Sequence, residues 1–262
     1  MRLTRKAAVG MAGILLCAAL VSLANGDVVQ RGNARISFKG ELRPHTLPRD
    51  GTIPVKVSVG ATISGVEGKP APQLQRIKIA INRNGHLNTS GLPVCRFEEI
   101  QPSTTEDALR ACGDSLVGDG YFTAKVFVKG QSRFPSSGKM YAFNARIHGR
   151  PAILGHVYGL DPVPTSFTIP FELRPTSKGT YGLLLTTSFP GVVSAGGYVT
   201  GLSLSLGREF SARGKAQSYL SAGCPAPKGV SQALFKFAHA DFSFSGGRTI
   251  SSTLTRSCRA RG

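Results

Sequence analysis

A few groups of side chains in this sequence have the types and spacing that chemistry requires. One is Gly113-Asp114-Ser115-Leu116, in which Ser115 could attack an ester carbonyl. A serine hydroxyl is a weak nucleophile at neutral pH, so it needs a base to take its proton and a further group to orient that base. Another is His239-Ala240-Asp241, which in an extended strand puts an imidazole and a carboxylate on one face, as an oriented base or a pair of metal ligands would require. The last is the set Cys95, Cys112, Cys224 and Cys258, which offers either disulfides or a thiolate metal site.

None of these groups is complete in the sequence. The Ser115 block matches the nucleophile motif of GDSL-type ester hydrolases, but there the block follows the first strand of an α/β fold and an Asp-x-x-His pair comes late in the chain. Here it follows a cysteine deep in the chain, and no Asp-x-x-His occurs. His45, His86, His148 and His156 are scattered, with no His-Glu-x-x-His spacing, so His239 reads as a histidine satisfied by Asp241. Neither a Cys-x-x-Cys pair nor a histidine beside a cysteine supports zinc, and no metal or cofactor is expected. Acid pairs for sugar hydrolysis are a matter of separation in space. Glu98 and Glu99 are adjacent and would point apart in a strand, and the chain has only 14 Asp and Glu. The sequence contains no phosphate-cradling Gly-rich loop ending in Lys-Ser/Thr, no RNA-binding aromatic signature and no tryptophan.

The elements that must position these residues begin after an export signal. Arg2, Arg5 and Lys6 precede an apolar run from Ala7 to Leu23 and the small residues Ala24-Asn25-Gly26, the layout of a secretory signal peptide over residues 1–26. The mature domain is then 27–262, outside the cytoplasm, secreted or held in the cell envelope. In that setting an even number of cysteines reads as disulfides, and sequence proximity favours Cys95–Cys112 and Cys224–Cys258.

From about Gly32 the chain reads as strand after strand. Val55, Val57 and Val59, then Ile77, Ile79 and Ile81, then Phe167, Ile169, Phe171 and Leu173 alternate with residues that are mostly polar. Period-two alternation puts one face on a core and the other on solvent. Pro170, lacking an N–H, points to an edge strand or a bulge, and the parity change between Phe235/Phe237 and Phe242/Phe244 points to a bulge near His239 or a strand buried on both faces. Turns are expected at Asp50-Gly51, Asn84-Gly85, Ser137-Gly138, Lys178-Gly179 and Gly246-Gly247. A capping box at Ser103-Thr104-Thr105-Glu106 predicts one short helix inside the Cys95–Cys112 loop. The fold class is all-β, an antiparallel β-sandwich, either one large unit or two packed halves meeting near 160–176. Glu41-Leu42-Arg43-Pro44 recurs as Glu172-Leu173-Arg174-Pro175, although the flanking segments do not match.

With 32 Lys and Arg the net charge is +18. A basic exported surface attracts polyanions such as anionic envelope polymers. The expected function is therefore a non-catalytic module that binds a polyanion or another envelope protein, with no stable transmembrane segment after processing and no specific nucleic-acid recognition. The alternative is an exported hydrolase using Ser115. Partner-binding residues are expected on the pre-ordered Cys95–Cys112 loop, at Arg96, Glu98, Glu99 and Arg110, with Glu106 and Asp107 beside them.

Several phrases carry a resemblance. They include Gly91-Leu92-Pro93-Val94-Cys95, Cys112-Gly113-Asp114-Ser115-Leu116-Val117-Gly118, His156-Val157-Tyr158-Gly159 and Ser218-Tyr219-Leu220-Ser221-Ala222-Gly223-Cys224-Pro225. Together with Ser252-Thr253-Leu254-Thr255-Arg256-Ser257-Cys258, they resemble an uncharacterised family of exported, four-cysteine, β-rich proteins from high-GC bacteria. That resemblance implies export and the four-cysteine frame. It lends no catalytic residue.

Overall fold

The computed structural model describes residues 27–127, 133–160, 164–190, 192 and 197–261, so the expected signal peptide over 1–26 lies outside the described residues. The first hairpin is β1 (Asp27–Arg31) with β2 (Ala34–Arg43), followed by the short β3 (Thr46–Pro48) and β4 (Ile53–Pro54). Two long strands, β5 (Lys56–Gly65) and β6 (Leu74–Asn82), lead through β7 (Gly85–Leu87) to the helical turn α1 (Phe97–Ile100) and helix α2 (Thr105–Cys112). Next come β8 (Leu116–Val126), β9 (Phe134–Ile147), β10 (Arg150–Gly159), β11 (Thr165–Pro175) and β12 (Tyr181–Ser188). The chain continues through β13 (Tyr198–Leu206), β14 (Glu209–Ala212), β15 (Lys215–Ser218) and β16 (Leu220–Ala222). It closes with the hairpin of β17 (Gln232–Phe244) and β18 (Thr249–Arg261).

Thirteen of these strands form one sheet in the order β1-β2-β5-β13-β8-β9-β10-β11-β12-β6-β17-β18-β3. Its ladders are antiparallel except for β3 against β18. The sheet curls until its flanks face each other, giving the expected sandwich from a single sheet. Phe38 of β2 meets Phe242 of β17 edge-on at 5.8 Å, and Phe122 of β8 meets Phe167 of β11 at 4.9 Å. Where the ends come round, side chains join them. Ser252 Oγ donates to Asp27 Oδ2 at 2.5 Å, Arg248 Nη1 to Asn33 Oδ1 at 2.7 Å, and Arg256 Nε to the Gly40 carbonyl at 2.6 Å. Strands from before and after residues 160–176 alternate in this order, with β13 between β5 and β8 and β6 between β12 and β17, so halves of the sequence do not correspond to flanks of the sandwich.

Alternation explains the layering. In β2, Ile36 and Phe38 are buried while Arg35 and Lys39 face solvent, and in β6 Ile77 and Ile79 are buried while Arg76 and Lys78 are exposed. β9 and β10 are different, because they are buried on both faces. Met140, Ala142, Ile153 and Val157 belong to the central core, whereas Phe143, Ala145, Ala152 and Leu154 join a second cluster under the disulfide loop. The loop therefore covers an outer face of the sheet and not an open end.

Several local expectations are met and others corrected. Gly51, Gly179, Gly246 and Gly247 adopt positive φ, whereas β6 turns into β7 at Arg83-Asn84, one residue before the expected Asn84-Gly85, with Gly85 already in β7. Ser137-Gly138 makes no turn, since it lies inside β9, where a Cβ on Gly138 would stand 2.8 Å from Val157 Cγ1. The β9–β10 hairpin instead turns at His148-Gly149, whose φ values of 50° and 75° suit a two-residue turn with both central residues left-handed. β11 is an interior strand, and Pro170 is tolerated because it pairs with Leu154 while the β12 ladder begins only at Glu172. The β17 bulge falls between Lys236 and Ala238, slightly before His239.

Both disulfides pair as proximity suggests, Cys95 with Cys112 and Cys224 with Cys258. Helix α2 starts one residue later than the capping box implied. Thr104 is the N-cap, and its Oγ1 accepts from Asp107 N at 3.2 Å. Glu98 and Glu99 lie in the helical turn α1, not in a strand. No helix among the described residues is long and apolar enough to cross a membrane.

Candidate functional site

Ser115 sits in a 3-10 turn with 2% of its surface exposed, and its hydroxyl donates to the Cys112 carbonyl at 2.7 Å. Its proton is committed to a backbone acceptor and its oxygen is shut away from solvent, so the side chain is not presented to a substrate. His239 does meet Asp241, with Nε2 3.3 Å from Oδ1, and its Nδ1 lies 2.7 Å from Thr253 Oγ1. Ser251 Oγ donates to the same carboxylate at 2.6 Å. This chain of polar groups lies along adjacent strands on the outside of the sheet and satisfies itself.

The cysteines and Glu99 lie close enough to share an ion. Their two sulfurs are bonded to each other, however, so the cluster offers a carboxylate and no thiolate. The charged residues of the loop largely serve the loop. Arg110 bridges Glu106 at 3.0 Å and Asp107 at 2.9 Å, and Glu99 Oε2 accepts from Arg96 N at 2.7 Å. The Thr104 hydroxyl chiefly, helped by Arg110 and opposed by partial desolvation, holds the Asp107 carboxyl below its ordinary range. Glu98 is exposed, as are the apolar Val94 and Phe97 beside it.

The loop is latched to the sheet. Cys95 N donates to the Asn144 carbonyl at 2.9 Å, Gln101 Nε2 to the Ser166 carbonyl at 3.0 Å, and Thr168 Oγ1 to Gln101 Oε1 at 3.0 Å. Beneath it His156 of β10 is wholly buried. Burial drives the His156 pKa down, and the nearby Ile100 and Thr104 backbone only partly offsets this. Neither ring nitrogen makes a well-formed hydrogen bond to any of the described residues.

A different surface has the shape of a binding site. On the outer face of β2, β5, β13 and β8 runs a trough of ≈ 470 Å³. Its floor comes from the two central strands. Thr62 pairs with Gly201 and Gly60 with Ser203, while Ser58 faces Ser205 with their hydroxyls 2.8 Å apart. These central positions carry only glycine or short hydroxyl side chains, so the backbone is approachable. Longer side chains stand on the flanking strands: Lys39 on β2 opposite Gly60, and Tyr121 on β8 opposite Ser203. Tyr121 is 52% exposed. Arg256 reaches in at the edge of β2 and keeps a buried Nη2 without a partner among the described residues. Glu41 also borders the trough, but Arg43 Nε engages its Oε1 at 2.7 Å. The rim is therefore biased toward positive charge.

The sequence reading missed this surface. Its only signal was the run of Ser, Gly and Thr at the polar positions of two apolar-alternating segments, Ser58-Gly60-Thr62 and Gly201-Ser203-Ser205. The class of protein that emerges is a disulfide-stapled, single-sheet β-sandwich with a polar trough on one flank. Comparison with protein-family models, curated proteins and solved structures finds no match for the chain.

Proposed function

We propose that this protein is a non-catalytic, exported binding module of the cell envelope that holds an anionic glycopolymer along the β2-β5-β13-β8 trough. The observation that carries the reading is the trough itself. Hydroxyls on its floor suit the hydrogen-bonding edge of a sugar, Tyr121 offers an exposed ring for stacking, and Lys39 and Arg256 suit acidic substituents. The net charge of +18 and the signal-like residues 1–26 favour the same compartment and ligand class.

The test is retention of the protein on an acidic polysaccharide compared with a neutral one of the same length, over rising salt. Binding should prefer the acidic polymer and weaken as salt screens the rim. Tyr121→Ala and Lys39→Ala should each weaken it, by about 1 kcal/mol for the stacking ring. Binding indifferent to salt, or unchanged in the double variant, would refute this reading. Export is tested separately by N-terminal sequencing of protein recovered outside the cytoplasm, with a start expected near Asp27.

A protein partner on the Cys95–Cys112 loop is the second reading, favoured by the exposed Val94 and Phe97 next to Glu98. The exported hydrolase using Ser115 is not proposed, because nothing in the surroundings of that hydroxyl supports nucleophilic attack.

A further inference from the structure

The sandwich is not packed to its end. On β5, Ile63 is buried but Val57 is only half-buried, and on β6, Ile77 is buried but Ile81 is not fully so. β12 and β13 repeat the pattern, with Leu185 and Leu204 buried and Leu183 and Leu206 half-buried. Interiors are ordinarily close-packed, so half-buried aliphatic side chains on the inner face of four strands mean that the two flanks have parted. The gap is a cavity of ≈ 80 Å³, whose lining also includes Leu87 and Leu220 from the small sheet β4-β16-β7.

Aliphatic side chains, with Phe235 and Phe237, make up most of that lining, and its polar members, Asn82, Asn84, His86 and Ser221, come from the β6–β7 hairpin and its neighbour β16. A second cleft of ≈ 540 Å³ adjoins the cavity and shares Asn84, His86 and Gly223 with it. This cleft is cationic, with Arg49 and Lys228 against Asp50 alone. Arg49 is held in place by neutral acceptors, with Nη1 donating to the Pro227 carbonyl at 2.8 Å and Nη2 to the Val230 carbonyl at 3.1 Å. Its charge is thus fixed in position, and no carboxylate pairs with it among the described residues.

We infer that this end of the sandwich binds a single-chain fatty carboxylate, with the terminal carbons of the alkyl chain in the cavity and the carboxylate in the Arg49–Lys228 cleft. A predominantly apolar lining, with its polar side chains confined to the end beside the cleft, selects alkyl over sugar or peptide, and the adjoining fixed cation selects a carboxylate over an alcohol. The cavity suits the end of one chain and not a whole lipid. This site lies apart from the trough and stands or falls independently of it.

The test is calorimetric titration of the purified protein with octanoate, decanoate, dodecanoate and dodecanol. One saturable site is expected, with affinity rising about fourfold per added methylene until the cavity is full. Lys228→Glu should weaken dodecanoate several-fold and leave dodecanol unchanged. Leu206→Trp, which fills the space, should weaken both by about tenfold or more. Because that variant could disturb folding, the wild-type protein supplies a second readout. Nuclear Overhauser contacts should connect the terminal methyl of dodecanoate to the methyls of Leu183 and Leu206. Absence of saturable binding by every probe, contacts at other methyls, or equal effects of Lys228→Glu on acid and alcohol would overturn the inference.

Discussion

Leu42 and Leu173 line the same cavity from opposite flanks of one curled sheet. Each is the inward residue of a Glu-Leu-Arg-Pro tetrapeptide, and each has a Glu–Arg pair on the outer face beside it. Arg43 Nε lies 2.7 Å from Glu41 Oε1, and Arg174 Nη2 lies 2.6 Å from Glu172 Oε2. Strand alternation accounts for both, since residues two apart share a face and the residue between them points the other way. The repeated tetrapeptide is one local solution used twice around a common space.

Leu42→Ala and Leu173→Ala should each destabilise the protein by about 2–5 kcal/mol. Because both enlarge one cavity, their effects should couple, and the double variant should depart from the sum by about 0.5 kcal/mol or more. Urea unfolding of the four proteins in the cycle checks this. Strict additivity would mean that the two side chains do not share a space.

Replacing Cys95 and Cys112 together by Ser should lower stability by about 3 kcal/mol, the scale expected for a loop of this length. The loss should appear first at the loop. Limited proteolysis should cut between residues 96 and 111 while the rest of the chain resists, since the loop is held by its own small cluster on β9 and β10. Uniform proteolysis along the chain would count against an independently opening lid.

His156 predicts a pH dependence. Its folded pKa lies below the ordinary value of 6.5, so the unfolded chain binds the proton more readily. Stability is therefore intact above that value and falls as pH drops below it. Thermal melts between pH 7.5 and 5 should show this decline in the wild type, and His156→Phe should flatten it. A His156→Phe protein that declines just as steeply would show that other groups carry the effect.

Tyr219 is fully buried, its hydroxyl finds no partner among the described residues, and burial drives its pKa upward. A buried unsatisfied hydroxyl is costly, so Tyr219→Phe should stabilise the protein by about 1 kcal/mol. A fall in melting temperature would mean that the hydroxyl is satisfied in solution.

The sequence alone determined what depends on neighbours along the chain. Period-two alternation declares strands, glycine marks most of their turns, and cysteines close in sequence find each other. The parity change across β17 placed its bulge to within a few residues, because each depends on a short run of backbone. The capped helix was likewise legible, since Thr104 and Asp107 are only a turn apart. Two-sided burial of β10 was written in the unbroken run Ala152-Ile153-Leu154-Gly155-His156-Val157, which period-two reading passes over. The order of the thirteen strands was not legible. It brings β13 between β5 and β8, and through that non-local pairing assembles Gly60, Ser203 and Tyr121 into a trough. It also sets Leu42 against Leu173 across a gap. An isolated strand carries a face but no address, and only closure of the sheet, driven by burial of all those faces at once, decides which faces meet.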